Sequence, residues 1–283
     1  MHNFKDKVIA ITGGATGIGY SFAKQFGSEG AKVIISGRRE SRLKEAVKNL
    51  ADLGVESKFF RCDVTKRQEV EKFADFAWNV FGQVDVLVNN AGMMLPQCPV
   101  IDTPEEDVRR IYDVNFFGVL NGIAVFGKRF IKQGTSAAIY NVGSECSLFN
   151  GLPMSGDYVS AKHAVLAITE ALREEVPEFI EVGLICPGFV KSELGNAEAM
   201  KAGMDTDKFT AIAMEQIKNG EFFIVSHAYN MVRINDRHAE ISKAYERYAP
   251  RYKGDNEFDI RTLFAEINTM LIENWRSEKV HFK

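Results

Sequence analysis

Seven short apolar runs separated by longer amphipathic segments set the strongest limit on what this chain can fold into. The runs fall at 7–12, 32–36, 57–61, 84–89, 137–142, 181–186 and 221–226. Strands covered on both faces read as continuous apolar runs, and a helix between each pair returns the chain to begin the next strand in the same direction. The pattern therefore predicts an α/β fold, a parallel sheet of about seven strands wound on both faces by helices. With 283 residues, 46% of them hydrophobic, the chain can bury one large core, or a core plus a small appendage. Near Thr103-Pro104-Glu105-Glu106 a cap candidate, an early proline and first-turn acids coincide, so a long helix to about 131 is expected.

Beyond the last run the period changes. Met231, Ile234, Ile241, Tyr245 and Tyr248 recur at helical steps until Pro250 and Gly254, and Ile260, Leu263, Phe264, Ile267, Met270 and Leu271 repeat the pattern. We expect a main domain over 1–226 and a C-terminal helical pair over 227–283, whose apolar stripes need the main domain or a partner subunit to cover them.

Charge and cysteine usage narrow the function. A net charge of -3, from 35 basic and 38 acidic residues, leaves no electrostatic footprint for nucleic acid or a membrane surface. Cys62, Cys98, Cys146 and Cys186 lie far apart with no C-x-x-C pair, as expected of reduced thiols in a cytoplasmic protein. Residues 1–7 carry charge and lead straight into a strand, so no signal region is expected, and no charge-free apolar run is long enough to span a bilayer. None of the histidines has metal-ligand spacing, and no catalytic metal is expected.

Directly after the first run comes Thr12-Gly13-Gly14-Ala15-Thr16-Gly17-Ile18-Gly19, followed by a helical segment. Glycines allow a tight turn and close approach of backbone to a pyrophosphate, while a helix N-terminus offers unpaired N–H groups and a positive dipole. A glycine-rich strand-to-helix turn that binds nothing is the plainer reading of this segment alone. The spacing, however, is similar to the T-G-x-x-x-G-x-G element of short-chain dehydrogenases, and Asn89-Asn90-Ala91-Gly92 resembles their N-N-A-G element. Asp63, Asn115, Ser144, Tyr158-x-x-x-Lys162 and Pro187-Gly188 with Ser192 extend the resemblance over residues 5 to 195 and the strand near 222.

That resemblance implies a Rossmann-type fold with dinucleotide contacts at Gly13, Thr16, Gly17, Ile18 and Gly19. It places Asp63 and Val64 near the adenine, Asn89, Ala91 and Gly92 at the adenosine ribose and central turn, and Pro187, Gly188, Val190 and Ser192 around the nicotinamide. Asp63 equally suits a helix cap, since Asp63-Val64-Thr65 leads into a helix. At the end of the second strand stands Ser36-Gly37-Arg38-Arg39, with no acid where NAD(H) would have its ribose held. Arg38 and Arg39 instead offer guanidinium forks to the extra phosphate of NADP(H), and we expect NADP(H) to be preferred over NAD(H).

Tyr158 and Lys162 stand four apart at the start of a helix, hence on one face. A phenol is a poor acid or base near neutrality unless a neighbouring cation favours phenolate. The resemblance implies Tyr158 as general acid/base, Lys162 as the cation that lowers its pKa and holds the nicotinamide ribose, Ser144 on the substrate oxygen, and Asn115 as a helix-bending residue in a proton relay. Ser144 follows strand five, at the carboxyl edge where open α/β sheets bind ligands. Glu145 and Cys146 depart from the small residues usual in the family. The carboxylate reaches the substrate or faces solvent, and the thiol is read as packed rather than nucleophilic. His163 should point away from the site.

Together these features predict an oxidoreductase interconverting a secondary alcohol and a ketone or aldehyde, its alternative being a dinucleotide-binding regulator of the same fold with little turnover. Met93, Met94, Leu95, Phe149, Met154, Phe189, Leu194, Met200 and Met204 fall where the family borders its pocket, and favour a bulky apolar substrate. The family's mobile lid corresponds to about 192–220. A homodimer or homotetramer is expected through the helices near 105–131 and 158–176, where Ile111, Phe117 and Val165 fit an interface or a core.

Overall fold

The computed structural model describes residues 3–194 and 197–281. Seven parallel strands form one sheet in the order β3-β2-β1-β4-β5-β6-β7. They are β1 (Val8–Thr12), β2 (Lys32–Gly37), β3 (Ser57–Arg61), β4 (Val86–Asn89), β5 (Ala137–Val142), β6 (Ile180–Cys186) and β7 (Phe223–Val225). All five residues of β1 and all six of β5 are buried, which explains why their sequences show no alternation. β7 is shorter than its apolar run because it is the edge. Phe223 and Val225 face solvent, and the Gln216 amide both donates to and accepts from the Val225 backbone, at 2.8 and 2.9 Å, in place of a further strand.

The connecting helices are α1 (Gly17–Ser28), α2 (Glu40–Asp52), α3 (Arg67–Phe81), α4 (Glu105–Tyr112), α5 (Gly118–Gln133), α6 (Gly156–Glu175), α7 (Ala197–Met200) and α8 (Thr206–Lys218). They divide into two apolar layers, one on each face of the sheet. Phe22, Phe26 and Phe209 belong to one, Phe73, Phe126 and Phe130 to the other. This is the doubly wound arrangement the sequence predicts, with the strand order reversing between β1 and β4. Ligands of such sheets bind at the carboxyl edge of that switch point.

Three expectations are corrected in detail. The helix foreseen from 103 to 131 is interrupted, since Asp113–Phe117 forms a π-helical turn between α4 and α5. Thr103 does not cap it; its hydroxyl donates to the Pro99 carbonyl at 2.9 Å. Much of the segment assigned to a lid is core: Phe209, Ala213, Met214 and Ile217 of α8 are buried in the layer that includes α1, while Asp207 accepts hydrogen bonds from Ser21 and Lys24. The whole helical run Glu105–Gln133 has the length and hydropathy of a membrane span, yet 61% of its most apolar window is buried within the protein, the packing of a core helix.

After β7 the chain forms α9 (Asn230–Tyr248), α10 (Ile260–Leu263) and α11 (Ala265–His281), so the second expected helix is broken at Phe264. No residue of α9 is buried; Tyr245 and Tyr248 are 65% and 75% exposed. Arg276 of α11 donates to the carbonyls of Glu174 and Glu175, and Arg261 donates to the Glu174 carboxylate. These bonds tie the far end of the extension to the C-terminus of α6.

Candidate active site

The glycine turn follows β1 at the switch point. Gly17 has φ +57, and a Cβ on Gly19 would lie 2.4 Å from Asn90 Nδ2 and 2.5 Å from the Gly13 carbonyl, so this backbone path requires glycine at both positions. Asn90 Nδ2 donates to the Thr12 and Gly13 carbonyls at 2.9 and 3.1 Å, and Thr12 Oγ1 accepts from the Asn90 and Ala91 amides. The turn after β4 thereby buttresses the turn after β1. Thr16 occupies the N-cap of α1 without a side-chain capping bond, and the first helical turn holds no acid. Its first N–H groups, those of Gly17, Ile18 and Gly19, remain available to an anion, and the cradle fits a dinucleotide pyrophosphate.

Further along the edge, Arg38 is exposed and makes no hydrogen bond or ion pair among the described residues, whereas Arg39 pairs with Glu193 at 2.5 Å. Glu193 adjoins Ser192, whose Cβ is 3.8 Å from the ideal Cβ position of Gly17, so the chain after β6 closes over the turn. Asp63 does not cap α3: its Oδ1 accepts from the Thr65 amide and hydroxyl, and α3 has Lys66 at its N-cap. Val64 lies beneath Gly118, and its carbonyl accepts from Asn121. The Asn89 side chain points inward. It is 1% exposed and donates to Asn141 Oδ1 at 2.8 Å, and Asn141 donates to Thr169. Any contact of Asn89 with a ribose is thus left to its backbone.

Asn115, Ser144, Tyr158 and Lys162 are all buried close to this edge. Asn115 sits in the π-helical turn, not on an exposed helix face, and exchanges two 2.8 Å hydrogen bonds with the backbone of Met93. A Cβ on Gly92 would lie 3.3 Å from Asn115 Oδ1 and 3.9 Å from Lys162 Nζ, which shows how closely the three approach. Lys162 Nζ donates to the Val142 carbonyl at 2.8 Å and stands 5.7 Å from the centre of the Tyr158 ring. Ser144 caps the turn Glu145–Ser147, its Oγ accepting from the Cys146 amide, while Ser147 Oγ binds the Ser144 amide and donates to the Lys162 carbonyl.

Burial dominates the electrostatics. It pushes the Tyr158 phenol well above its ordinary pKa, against a downward pull from the Ser144 hydrogen bond, and Cys146 and Glu145 add to the rise. It also lowers Lys162 to about 8. Desolvation sets the direction for Tyr158, while the Lys162 ammonium is directed at the Val142 carbonyl. The Cys146 thiol is likewise pushed up by burial, the state of a packed thiol.

Met94 and Leu152 pack against Cys146, Tyr158 and Val159 and give this edge an apolar wall. Phe189 and Met154 are 45% and 51% exposed, whereas Met204 packs into the core and Phe149 is buried. Of the interface candidates, Ile111 and Val165 are fully buried within the protomer and Phe117, 47% exposed, faces outward, as does Leu120, which was not among them. Sequence reasoning overlooked Asn90, Ser147 and the Asn141–Thr169 pair. Asn90 was visible as the second asparagine of its motif, but the others carry no local signature.

A family model described as short chain dehydrogenase matches residues 7–202. An (S)-acetoin-forming diacetyl reductase of Staphylococcus epidermidis is 33% identical over 235 residues, which span 80% of this chain and 90% of the relative. A C alpha-dehydrogenase of Sphingobium is 33% identical over 202 residues, 71% of this chain and 66% of its own. Among solved structures, a short-chain dehydrogenase/reductase of Burkholderia phymatum in complex with NAD superposes with a TM-score of 0.82 at 28% identity, over 86% of this chain and 97% of the other. LigO of Sphingobium, in its apo form, gives 0.81 at 28% identity over 94% and 98% of the two chains. The chain therefore belongs to the short-chain dehydrogenase/reductase family and is an NAD(P)-dependent oxidoreductase acting on CH–OH and C=O groups.

Proposed function

We propose that this protein is an NADP(H)-dependent oxidoreductase that interconverts a secondary alcohol and a ketone or aldehyde bearing apolar substituents. The observation that carries this reading is the convergence of buried Ser144, Tyr158, Lys162 and Asn115 at the same sheet edge as the glycine turn. When bound, the dinucleotide supplies hydride to the carbonyl carbon or takes it from the alcohol. Ser144 Oγ holds the reacting oxygen, and the Tyr158 hydroxyl gives it a proton in reduction or removes one in oxidation. Lys162 holds the nicotinamide ribose and feeds the proton path, and Asn115, anchored on Met93, keeps that path in line. Arg38, exposed and unengaged at the end of β2, takes the additional phosphate of NADP(H), beside Arg39 and its partner Glu193.

The wall formed by Met94 and Leu152 beside Tyr158 supports an apolar substrate, and the acetoin-forming relative supports a small ketone as a first probe. Exposed Phe117 and Leu120 on the helical run 105–133 support a homo-oligomer, and four unpaired cysteines support a cytoplasmic setting. The test is a panel of ketones and alcohols with each dinucleotide, followed at the nicotinamide absorbance. Turnover restricted to small polar sugars or hydroxy acids, or faster turnover with NAD(H), would overturn the corresponding part. Light scattering that finds a monomer at micromolar concentration would overturn the oligomer.

A further inference from the structure

Helix α9 meets the rest of the protein along one narrow face. Within it only Asn230 and Ile234 are even partly buried, and Arg237 stands two turns from Asn230 on the same side. Both polar residues end on the segment that carries Ser144. Asn230 Nδ2 donates to Glu145 Oε2 at 2.6 Å. Arg237 Nη1 donates to the Leu148 carbonyl at 2.8 Å and lies 2.9 Å from His163 Nε2. His163 Nδ1 is 2.9 Å from the Val159 carbonyl and so carries the ring proton, which leaves Nε2 to accept from the guanidinium.

The turn Glu145–Ser147 is therefore held from two sides. On the inner side, the Glu145 amide donates to the Pro187 carbonyl and Ser147 Oγ to the Lys162 carbonyl, both at 2.8 Å. The outer bonds all come from α9. The chain entering α9 closes on the same point, since a Cβ at Gly188 would lie 2.4 Å from His227 Cγ and 2.7 Å from Glu145 Oε2. A carboxylate gripped by an amide is a charge-assisted bond, stronger than a neutral pair. Misplacing a reacting group by about 1 Å costs about a hundredfold in rate.

We propose that Asn230 and Arg237 are positioning residues, by which the C-terminal extension clamps the catalytic turn and aims Ser144. The inference rests on the role given to Ser144 above, and it makes α9 part of the active-site scaffold.

The test uses the full chain with NADPH and 2,3-butanedione, alongside amide hydrogen exchange across residues 144–149. Asn230→Asp sets a carboxylate against Glu145, and should speed exchange in this segment and lower kcat about tenfold while the NADPH Kd stays within about twofold. Adding Glu145→Gln to Asn230→Asp restores a donor and an acceptor in the reverse sense, and should recover most of kcat and of the exchange protection. A purely structural role for α9 would not be rescued by the exchange of charge. Wild-type kcat and exchange in Asn230→Asp, or a double variant no better than the single one, overturns the proposal. If Asn230→Asp does not fold, Asn230→Ala, which adds no charge, should lower kcat about threefold or more, and wild-type values there overturn it equally. If no ketone is turned over by the wild type, the proposed function fails, and the exchange measurements still decide the clamp.

Discussion

Replacing Lys162 by methionine should remove activity without weakening the fold. Lys162 is 4% exposed, and burial lowers its pKa from the ordinary 10.5 to about 8. That displacement corresponds to about 3 kcal/mol held against the charged side chain in the folded state. Methionine fills a similar volume and carries no charge to desolvate. Against this stands the hydrogen bond to the Val142 carbonyl, whose loss leaves a buried acceptor unpaired at a cost of about 1–3 kcal/mol. The variant should therefore match the wild type at pH 7 or exceed it by up to about 2 kcal/mol.

The pH dependence of that difference is the sharper test. A lysine whose folded pKa lies below its unfolded one binds fewer protons when folded, so wild-type stability from this group rises with pH across the window from about 8 to 10.5. Below that window the penalty is present in full; above it, none remains. Urea unfolding without dinucleotide, at about pH 7 and about pH 10, should show any advantage of Lys162→Met shrinking or reversing at the higher pH. A variant less stable by more than about 2 kcal/mol at pH 7, or a difference that does not move with pH, would refute the argument. Dinucleotide titration of the same samples should show weakened binding, because the ribose contact is gone.

Tyr158→Phe should lower kcat by about a hundredfold or more, the range of general acid catalysis, with dinucleotide affinity nearly unchanged; near-normal turnover would sink the mechanism. Arg38→Ala should weaken NADP(H) roughly ten- to a hundredfold and NAD(H) far less, and equal losses for both would dispose of the phosphate assignment. Reduction should be fastest at neutral pH and decline as pH rises through about 8, where Lys162 loses its proton. A rate that climbs steadily to pH 10 would contradict the role given to that ammonium.

The central strands were legible because both their faces are buried, as in β1 and β5, which leaves a continuous apolar run; the edge strand β7 is not covered in this way. What escaped depended on relations between distant residues. The side chain of Asn89 turns inward because Gly122 leaves room, a Cβ there standing 2.0 Å from Asn89 Oδ1, and no local pattern in β4 announces a glycine in α5. The π-helical turn at Asn115 adds a residue to a helix without changing which residue types a helix accepts, so residue type alone does not mark it. In α8 the signal was present, since Phe209, Ala213, Met214 and Ile217 recur at helical spacing, but the resemblance drew the segment toward a lid. Ile111 in α4 and Val165 in α6 face the interior while Phe117 in the π-helical turn faces outward, and which side of each helix is covered is set by the whole domain.

The same desolvation that lowers Lys162 raises Tyr158, so burial alone keeps the proton on the phenol. A raised pKa makes the phenol a weaker acid, so transfer of its proton waits until the carbonyl oxygen becomes a far stronger base as it gains electrons. In either direction, a positive charge that offsets the burial of the phenolate eases the transfer. The Lys162 ammonium is too far engaged with the Val142 carbonyl to do so by itself, at 5.7 Å from the ring centre. A positive charge carried by whatever binds beside Tyr158 would lower the phenol further toward its ordinary range. If Lys162→Met proves no less stable than the wild type, the ammonium at this edge is expected to serve the reaction rather than the fold.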